Sequence, residues 1–381
     1  MKILILEPYF TGSHKQWALG YKKYSKHEVT ILSMKGQFWK WRMHGGAITL
    51  AESFNNSDWN PDLILCTDML DLTTFLSLTR RKTKHIPVGI YFHENQISYP
   101  WSPKDRDKIQ NRDNHYGFIN YVSALSADKV FFNSKFHMNS FLDNLSPFLK
   151  NFPDHNELDT ISNIRKKSGV LHVGLELSKF KTKHAKKNTF PIILWNHRWE
   201  YDKNPELFFK VLKKIKGNGF RFKLIIIGES FGNSPQIFEE SKIDFKEDIL
   251  EWGYLKTFDD YAECLYKADI LPVTSNQEFF GVSVMEAVHC GVWPILPNKL
   301  SYKELFADEG LLDNIYDGDS KLIERIEFAI TNIEKIRENS LESISAKYDW
   351  KNIVKYYDTC LLYTSDAADE GLGVDLGGRR I

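Results

Sequence analysis

Apolar positions along this chain fall in short unbroken blocks separated by longer stretches of helical period. KILILEP (2–8), HEVTILS (27–33), PDLILCTD (61–68), PVGIYFHE (87–94) and KVFFNS (129–134) are blocks of this kind in the first half. A strand apolar along its whole length is buried on both faces, which points to a parallel sheet covered by helices. Between the blocks, FTGSHKQWALGYKKYS opens on a glycine turn and reads as a helix, and further helices are expected around 70–81 and 113–126. Residues 151–190 are polar and lysine-rich, with VLHVGLE (170–176) as a short strand inside. The same grammar then resumes with strands PIILWNHR (191–198), FKLIIIGES (222–230), ILEWGYL (249–255) and DILPVTS (269–275). PELFFKVLKKIKGNG and FDDYAECLYKA (258–268) are helices, followed by others around 301–306 and 320–346 and an amphipathic one over 348–360. The pattern predicts an α/β protein with two Rossmann-like domains, over 1–175 and 176–347.

In EFFGVSVMEAVHCGVWPIL (278–296) the pattern carries chemistry. Glu278 lies in a turn, Gly281 precedes a helix from Val282 to Val288, Gly291 falls at its C-cap, and a buried strand follows. A helix start exposes unpaired N–H groups at a positive dipole end, a natural seat for a diphosphate. Carboxylates on either side, Glu278 and Glu286, can accept hydrogen bonds from a sugar and from a ribose. Such a spacing also arises by chance, as a solvated loop residue and an ordinary helix glutamate, so neighbouring residues decide between the two. In HRWEYDKNPELFF (197–209), Arg198 and Lys203 occupy a loop between strand and helix, with Pro205 suited to a first helical turn. Two cations there would oppose a diphosphate; the plainer reading is a surface ion pair with Glu200 or Asp202. Gly228 permits close backbone approach at a strand end. Gly253 and Tyr254 offer backbone and a ring for a nucleobase, while Trp252 reads as core. In the first half Gly12, His14, Lys15, His93, Glu94, Asn95 and Ser134 all fall at the carboxyl ends of strands, where parallel sheets bind ligands.

Composition narrows the class. With 381 residues, 42% apolar and 14% aromatic, the chain has material for two cores and is not disordered. No apolar run is long enough for a bilayer, and the apolar part of MKILILEPYF is too short for a signal peptide. The four cysteines are scattered without C-x-x-C spacing, which fits a reducing cytosol. Residues 361–381, LLYTSDAADEGLGVDLGGRRI, lack a core-forming period, resemble the translation of a sequencing adapter, and are expected to stand outside the fold as a non-native tail. That tail holds the acids Asp366, Asp369, Glu370 and Asp375 and the bases Arg379 and Arg380. Charge in the remainder is unevenly divided. Residues 1–190 hold 27 Lys/Arg against 17 Asp/Glu, net +10, and residues 191–360 hold 21 against 29, net −8. A basic first half suits a polyanion, although charge runs also serve as solvated faces.

Several chemistries are excluded. FHENQISYP (92–100) is not H-E-x-x-H, no other His/Cys/Asp set has ligand spacing, and no metal is expected. G-x-S-x-G, the P-loop and G-x-G-x-x-G are absent. KGQFWKWRMHGG (35–46) interleaves Trp39 and Trp41 with Lys35, Lys40 and Arg42, as a surface for an unpaired base with flanking phosphates or as a mixed amphipathic face. Further basic runs are RRKTKH (80–85), RKK (165–167) and the lysines from Lys179 to Lys187.

With these residues assembled, the second half resembles the retaining GT-B glycosyltransferases through Arg198, Lys203, Gly228 and the Glu278/Glu286 pair, in that order. One departure is Asn196-His197, where that superfamily has glycine before the arginine. EPYFTGSHKQW, FHENQISYP, NSKFHMNSFL and NFPDH, with HRWEYDKNPELFFKVL and EFFGVSVMEAVHCGV, look like the tRNA-queuosine mannosyltransferases over essentially 1–360. The resemblance implies two domains facing across a cleft, with helix 348–360 crossing back to the first. It implies retaining transfer of mannose from GDP-mannose to the cyclopentenediol of queuosine, at the wobble position of tRNA-Asp, in the cytoplasm and without a further cofactor. Implied donor contacts are Gly12, Arg198, Lys203, Gly228 and Tyr254, then Glu278, Phe280, Gly281, Val282 and Glu286. His14, Lys15, Trp39, Trp41, Arg42, Glu94 and Asn95 would face the acceptor, and His93, Arg198, Lys203 and Glu278 would serve the transfer itself. Glu7 and Glu94 are the candidate carboxylate nucleophiles after the first-domain strands, and neither shows a partner that would mark it as one, so front-face transfer is expected. Rival readings are a lipid or glycan acceptor, and a non-catalytic RNA-binding protein with a degenerate donor pocket.

Overall fold

The computed structural model describes residues 1–102, 105, 107, 115–181, 187–230, 234–306, 311 and 314–371, without the side chains of 365–371. Positions 113–114 of an expected helix, Lys183 and Lys186 of the basic run, and Asp375, Arg379 and Arg380 lie outside the described residues, as do the side chains of Asp366, Asp369 and Glu370. The chain divides into two compact units. Unit 1 holds Met1–Tyr99, Asp107–Leu175 and Trp350–Ile381; unit 2 holds Pro100–Arg106 and Glu176–Asp349.

In unit 1 the expected apolar blocks form β1 (Lys2–Phe10), β2 (Glu28–Lys35), β3 (Leu63–Thr67), β4 (Val88–Phe92) and β5 (Lys129–Phe132), with β6 at Ser168–Val170. They lie in the order β2-β1-β3-β4-β5-β6, every neighbouring pair parallel. The strand expected over 170–176 is therefore shorter and earlier. Helices α1 (Gly12–Tyr24), α2 (Trp39–Asn55), α3 (Leu72–Thr83), α4 (His115–Ser126), α5 (Lys135–Leu149) and α6 (Thr160–Lys166) connect the strands. Leu4, Leu6, Ile64, Ile90 and Phe132 from the sheet pack with Leu50, Phe54, Phe75 and Phe141 from the helices. Two helix starts carry side-chain caps: Asp71 accepts from the Thr74 N–H, and Ser134 from the His137 N–H.

Unit 2 holds β7 (Ile192–Trp195), β8 (Lys223–Ile227), β9 (Ile249–Gly253), β10 (Ile270–Pro272), β11 (Trp293–Pro297) and β12 (Ile315–Tyr316), ordered β12-β11-β10-β7-β8-β9. This sheet is also parallel throughout. Its helices are α7 (Pro205–Gly217), α8 (Ile237–Asp244), α9 (Phe258–Lys267), α10 (Val282–His289) and α11 (Tyr302–Phe306). The helix expected over 320–346 is three pieces, α12 (Gly318–Thr331), α13 (Ile333–Arg337) and α14 (Glu342–Ala346). Each sheet reverses its strand order once, between β1 and β3 in unit 1 and between β7 and β10 in unit 2. Loops leaving such a pair of strands diverge to opposite faces and open a crevice at their carboxyl ends.

The last helix, α15 (Trp350–Gly371), corrects the boundary expected at 360. Trp350, Val354, Tyr357, Leu361 and Thr364 repeat every three or four residues and are all buried, so LLYT continues the apolar stripe. Within unit 1, the Trp17 indole N–H donates to the Tyr357 hydroxyl at 3.0 Å. Tyr21 and Ser25 donate to the Asp358 carboxylate at 3.0 and 2.6 Å.

Candidate active site

The reversal in unit 2 sets the loop after β7 beside the loop after β10. Lys203 is buried there, and its ammonium donates to the Gln277 carbonyl at 2.9 Å and the Glu278 carboxylate at 3.1 Å. It also lies 3.0 Å from Asp202 Oδ2. Burial alone would lower the Lys203 pKa, but Glu278 and Asp202 outweigh it and hold it above its ordinary value. Glu278 is likewise pushed up by burial and pulled further down by Lys203, so the carboxylate stays ionised. Its side chain keeps 21% exposure and remains within reach of a ligand. A phosphate oxygen could take the place Glu278 holds on Lys203, releasing the carboxylate to accept from a sugar hydroxyl. Arg198 lies 3.8 Å from Glu200 with nearly half its side chain exposed, so the plain surface-pair reading coexists with availability to an anion.

Gly281, at φ +92, starts α10, and a side chain there would crowd Tyr302. Val282 is half-buried at the first helical position, whereas Phe280 is buried edge-to-face on Tyr348 and is spent on packing. The Asn196-His197 departure ties the β7 loop to this helix. Asn196 Nδ2 donates to the Ser283 carbonyl at 2.7 Å, and His197 Nδ1 meets Ser283 Oγ at 3.0 Å. Burial, then the Lys203 charge, lowers the His197 pKa to about 4, so the ring is neutral. Gly228 borders the same cavity as Tyr254, and a Cβ there would also collide with the His197 carbonyl. Tyr254 is exposed and borders a cavity of about 290 Å³ with Glu229, Lys256, Phe258 and Tyr261. Trp252 packs against Trp199 and Phe209, as its core reading required.

Glu286 accepts from the Tyr261 hydroxyl at 2.8 Å. Burial raises its pKa to about 7 against the relief from that bond and from Lys179. Ionisation therefore falls in the neutral range, and only the carboxylate accepts from Tyr261 and a ligand diol together. The KM for a nucleotide sugar should fall as pH rises from about 6 to 8, and Glu286→Gln should flatten that profile. An unchanged profile in Glu286→Gln would show that another group titrates.

In unit 1 the strand-end residues converge on β1, β3 and β4. The fully buried Glu7 accepts from the Tyr9 N–H at 2.8 Å and pairs with His14 Nδ1 at 3.0 Å. Glu7 thus has the partner that was not expected of it. With both oxygens engaged and no exposure, it is poorly placed to attack a sugar. Burial pulls His14 down, but Glu7, with Asp68 and Glu94, raises it to about 9, so it is an imidazolium at neutral pH. Burial, then the charge of His14, holds His93 well below its ordinary value. Its Nε2 is buried without a hydrogen-bond partner among the described residues. Asp68, pushed up to about 8 chiefly by burial, accepts the His93 backbone N–H at 2.8 Å. Glu7, His14 and His93 each present a possible metal-ligand atom, all within 4.8 Å of one another. The two imidazoles lie 4.1 Å apart, tilted by 35°, and His14 Nδ1 is already engaged by Glu7. The result is a charged ring tilted against a neutral one.

The other acceptor candidates separate. Asn95 is buried and closes a turn, accepting from the Ile97 and Ser98 N–H groups. Glu94 is half-buried and accepts from Gln96 at 3.2 Å. Gly12, at φ +49, opens α1, and a Cβ there would meet nothing. Lys15 is exposed beside the Phe10 ring. Trp39 packs on Tyr116, Arg42 Nε donates to the Lys35 carbonyl, and Trp41 is exposed.

Comparison with known proteins adds a decisive observation. Residues 2–175 match the family model "tRNA-queuosine alpha-mannosyltransferase N-terminal", and residues 178–347 match "Glycosyl transferases group 1". A Drosophila melanogaster tRNA-queuosine alpha-mannosyltransferase is 33% identical over 334 residues, covering 85% of each chain. The chain belongs to the tRNA-queuosine alpha-mannosyltransferase family. It is a glycosyltransferase. Its fold is GT-B. Sucrose-phosphate synthase from Thermosynechococcus elongatus superposes with TM-score 0.70 at 14% identity, over 97% of this chain and 100% of the other. Anabaena HepE, in complex with UDP and glucose, gives TM-score 0.66 at 16% identity, over 95% and 99%.

For this family member, several site residues carried no separate signal in the sequence. Asp202 was visible only as a possible surface partner, yet it is buried beneath Lys203. Tyr261, which holds Glu286, lay inside an ordinary amphipathic helix pattern. Asp68 ended an apolar block, and only its acidity at a strand end could have singled it out.

Proposed function

We propose that this chain transfers mannose from GDP-mannose, with retention, to the cyclopentenediol of queuosine at the wobble position of tRNA-Asp, in the cytoplasm and without a metal ion. The observation that carries this reading is the 33% identity to the Drosophila enzyme, whose name states the mannosyl transfer and the queuosine tRNA. The cluster of Lys203, Glu278 and Arg198 before α10 supports a nucleotide-sugar donor. In the proposed step the glycosidic bond to the diphosphate lengthens first. Charge grows on the leaving oxygen, where Lys203, Arg198 and the N–H groups at the start of α10 stabilise it. The incoming hydroxyl bonds to the anomeric carbon on the face the diphosphate leaves, and its proton passes to a diphosphate oxygen. These cations match the diphosphate charge within unit 2, so no metal is required in this scheme. The diphosphate takes the proton in this scheme, so neutral His93 is not required as the base.

The test is a paired transfer assay on purified protein, with GDP-mannose and either queuosine-containing or queuosine-free tRNA-Asp, with and without EDTA. Mass spectrometry of digested nucleosides should show a hexose on queuosine alone, undiminished by EDTA and removed by an α-mannosidase. Transfer only from another nucleotide sugar would replace the donor, loss in EDTA would remove the metal-free step, and no transfer to any tRNA would overturn the reading.

A further inference from the structure

Helix α2 begins with two exposed aromatic residues, Phe38 and Trp41; only Trp41 is among the residues expected to face the acceptor. The helix starts at Phe38, whose φ of 54° and ψ of 56° place a bulky side chain in the left-handed region. That conformation is unfavourable for a non-glycine residue and draws attention to what it displays. The Phe38 carbonyl accepts the N–H groups of Trp41 and Arg42 at 2.8 and 3.0 Å, so the strained residue is held in place as the helix cap. Phe38 is 76% exposed, and Trp41, on the first turn, is 62% exposed. Beneath that indole is Gly45, where a Cβ would fall 2.6 Å from Trp41 Cε2 and Cζ2. The indole therefore lies over Gly45 while most of the residue stays open to solvent. Two exposed aromatic residues in one helix turn, Phe38 at the cap and Trp41 three residues on, are costly in water and suited to stacking.

Its surroundings are basic. Lys35, at the end of β2, and Lys15, in α1, are both exposed, and the Arg42 Nε–H holds the Lys35 carbonyl. Lys35 pairs in register with Phe10, and a Cβ on Gly36 would collide with Thr11, so this loop is pressed against the β1–α1 turn that carries His14. Gly46 packs similarly on Pro8, where a Cβ would come within 2.9 Å. The platform is thus anchored to the strand ends. Trp39, by contrast, is committed to Tyr116, and Lys40 to Asp107 at 2.5 Å.

We infer that Phe38 and Trp41 form a stacking platform for an unpaired nucleotide of single-stranded RNA, with Lys15 and Lys35 toward its phosphates. Every base has a π-face, so the platform reads absence of pairing and not sequence. The inference rests on tRNA being the acceptor and assigns these two rings to the anticodon loop around the modified base.

The experiment measures binding of a fluorescein-labelled anticodon stem-loop without queuosine by anisotropy, beside a hairpin of the same charge with no unpaired bases. Phe38→Ala/Trp41→Ala should weaken stem-loop binding by about tenfold or more, with the paired hairpin little changed. Gly45→Ala is the second variant. It raises helix propensity while its Cβ forces the indole off the backbone, so it should keep the fold by circular dichroism and still weaken the stem-loop. Trp41→Phe should retain most binding. Unchanged stem-loop affinity in both variants, or equal loss for the paired hairpin, would overturn the platform. Concentration-dependent self-association abolished by the same variants, with RNA binding intact, would assign the rings to a second copy and overturn it too. Wild-type protein that binds the stem-loop but never glycosylates queuosine tRNA would defeat the proposed function and leave the platform standing.

Discussion

Lys203→Ala should cut transfer sharply and also destabilise unit 2, an unusual pairing for a binding-site lysine. The ammonium bonds to Gln277 and Glu278 and lies against a carboxylate, Asp202, that is 1% exposed. Removing one partner of a buried pair leaves the other uncompensated, at about 3–5 kcal/mol. The same cation is lost to the donor diphosphate, so kcat/KM should fall by about a hundredfold or more. Because Glu278 and Asp202 hold the Lys203 pKa above 10.5, its contribution to stability is fully present below that value and disappears only in strong alkali. The stability loss should accordingly be the same at pH 6 and pH 8. Adding Asp202→Asn to Lys203→Met should recover much of the urea stability and none of the activity. Wild-type stability in Lys203→Ala would show that Asp202 is solvated in solution, contrary to its burial.

Trp350→Ala should be the most damaging change in unit 1, although Trp350 has no part in the chemistry. Its indole fills a slot between Gly20 of α1 and Gly174, and a Cβ on either glycine would collide with the ring. Its backbone N–H donates to the Leu175 carbonyl at 2.9 Å, and its ring meets Tyr357 edge-to-face. Emptying such a site costs about 3–5 kcal/mol. Gly20→Ala is a sharper test. Inside an exposed helix that change stabilises by about 1 kcal/mol, but here it should destabilise because the new Cβ has only Trp350 to meet. Thermal unfolding that is unaltered or raised in Gly20→Ala would mean that α15 does not pack there.

Much of this was legible before any coordinates. Unbroken apolar blocks such as KILIL and LIII bury both faces, and that local requirement predicts parallel strands wherever the blocks lie in the fold. The α15 stripe could have been followed past 360, because Leu361 and Thr364 keep the spacing; the glycine- and aspartate-rich tail drew the boundary too early. Helix α2 was hidden for another reason. Gly45 and Gly46 are poor helix formers, and they are needed here for close approach of the Trp41 ring and of Pro8.

Tertiary structure alone decided how the separate signals combine. Arg198 and Lys203 follow β7, while Glu278 follows β10, about 75 residues later in the chain. They meet because the strand order reverses between β7 and β10, and strand order is set by crossover packing between distant segments. Burial was equally invisible. Asp202 looks like a surface partner, and only its enclosure, with that of Glu7 at its strand end, makes these carboxylates the ion partners that hold Lys203 charged and His14 protonated. Residue type and period determined the elements and the candidate chemistry, because those depend on neighbours in the chain. Which carboxylate faces which cation depends on neighbours in space, and the sheets' crossover order supplied them.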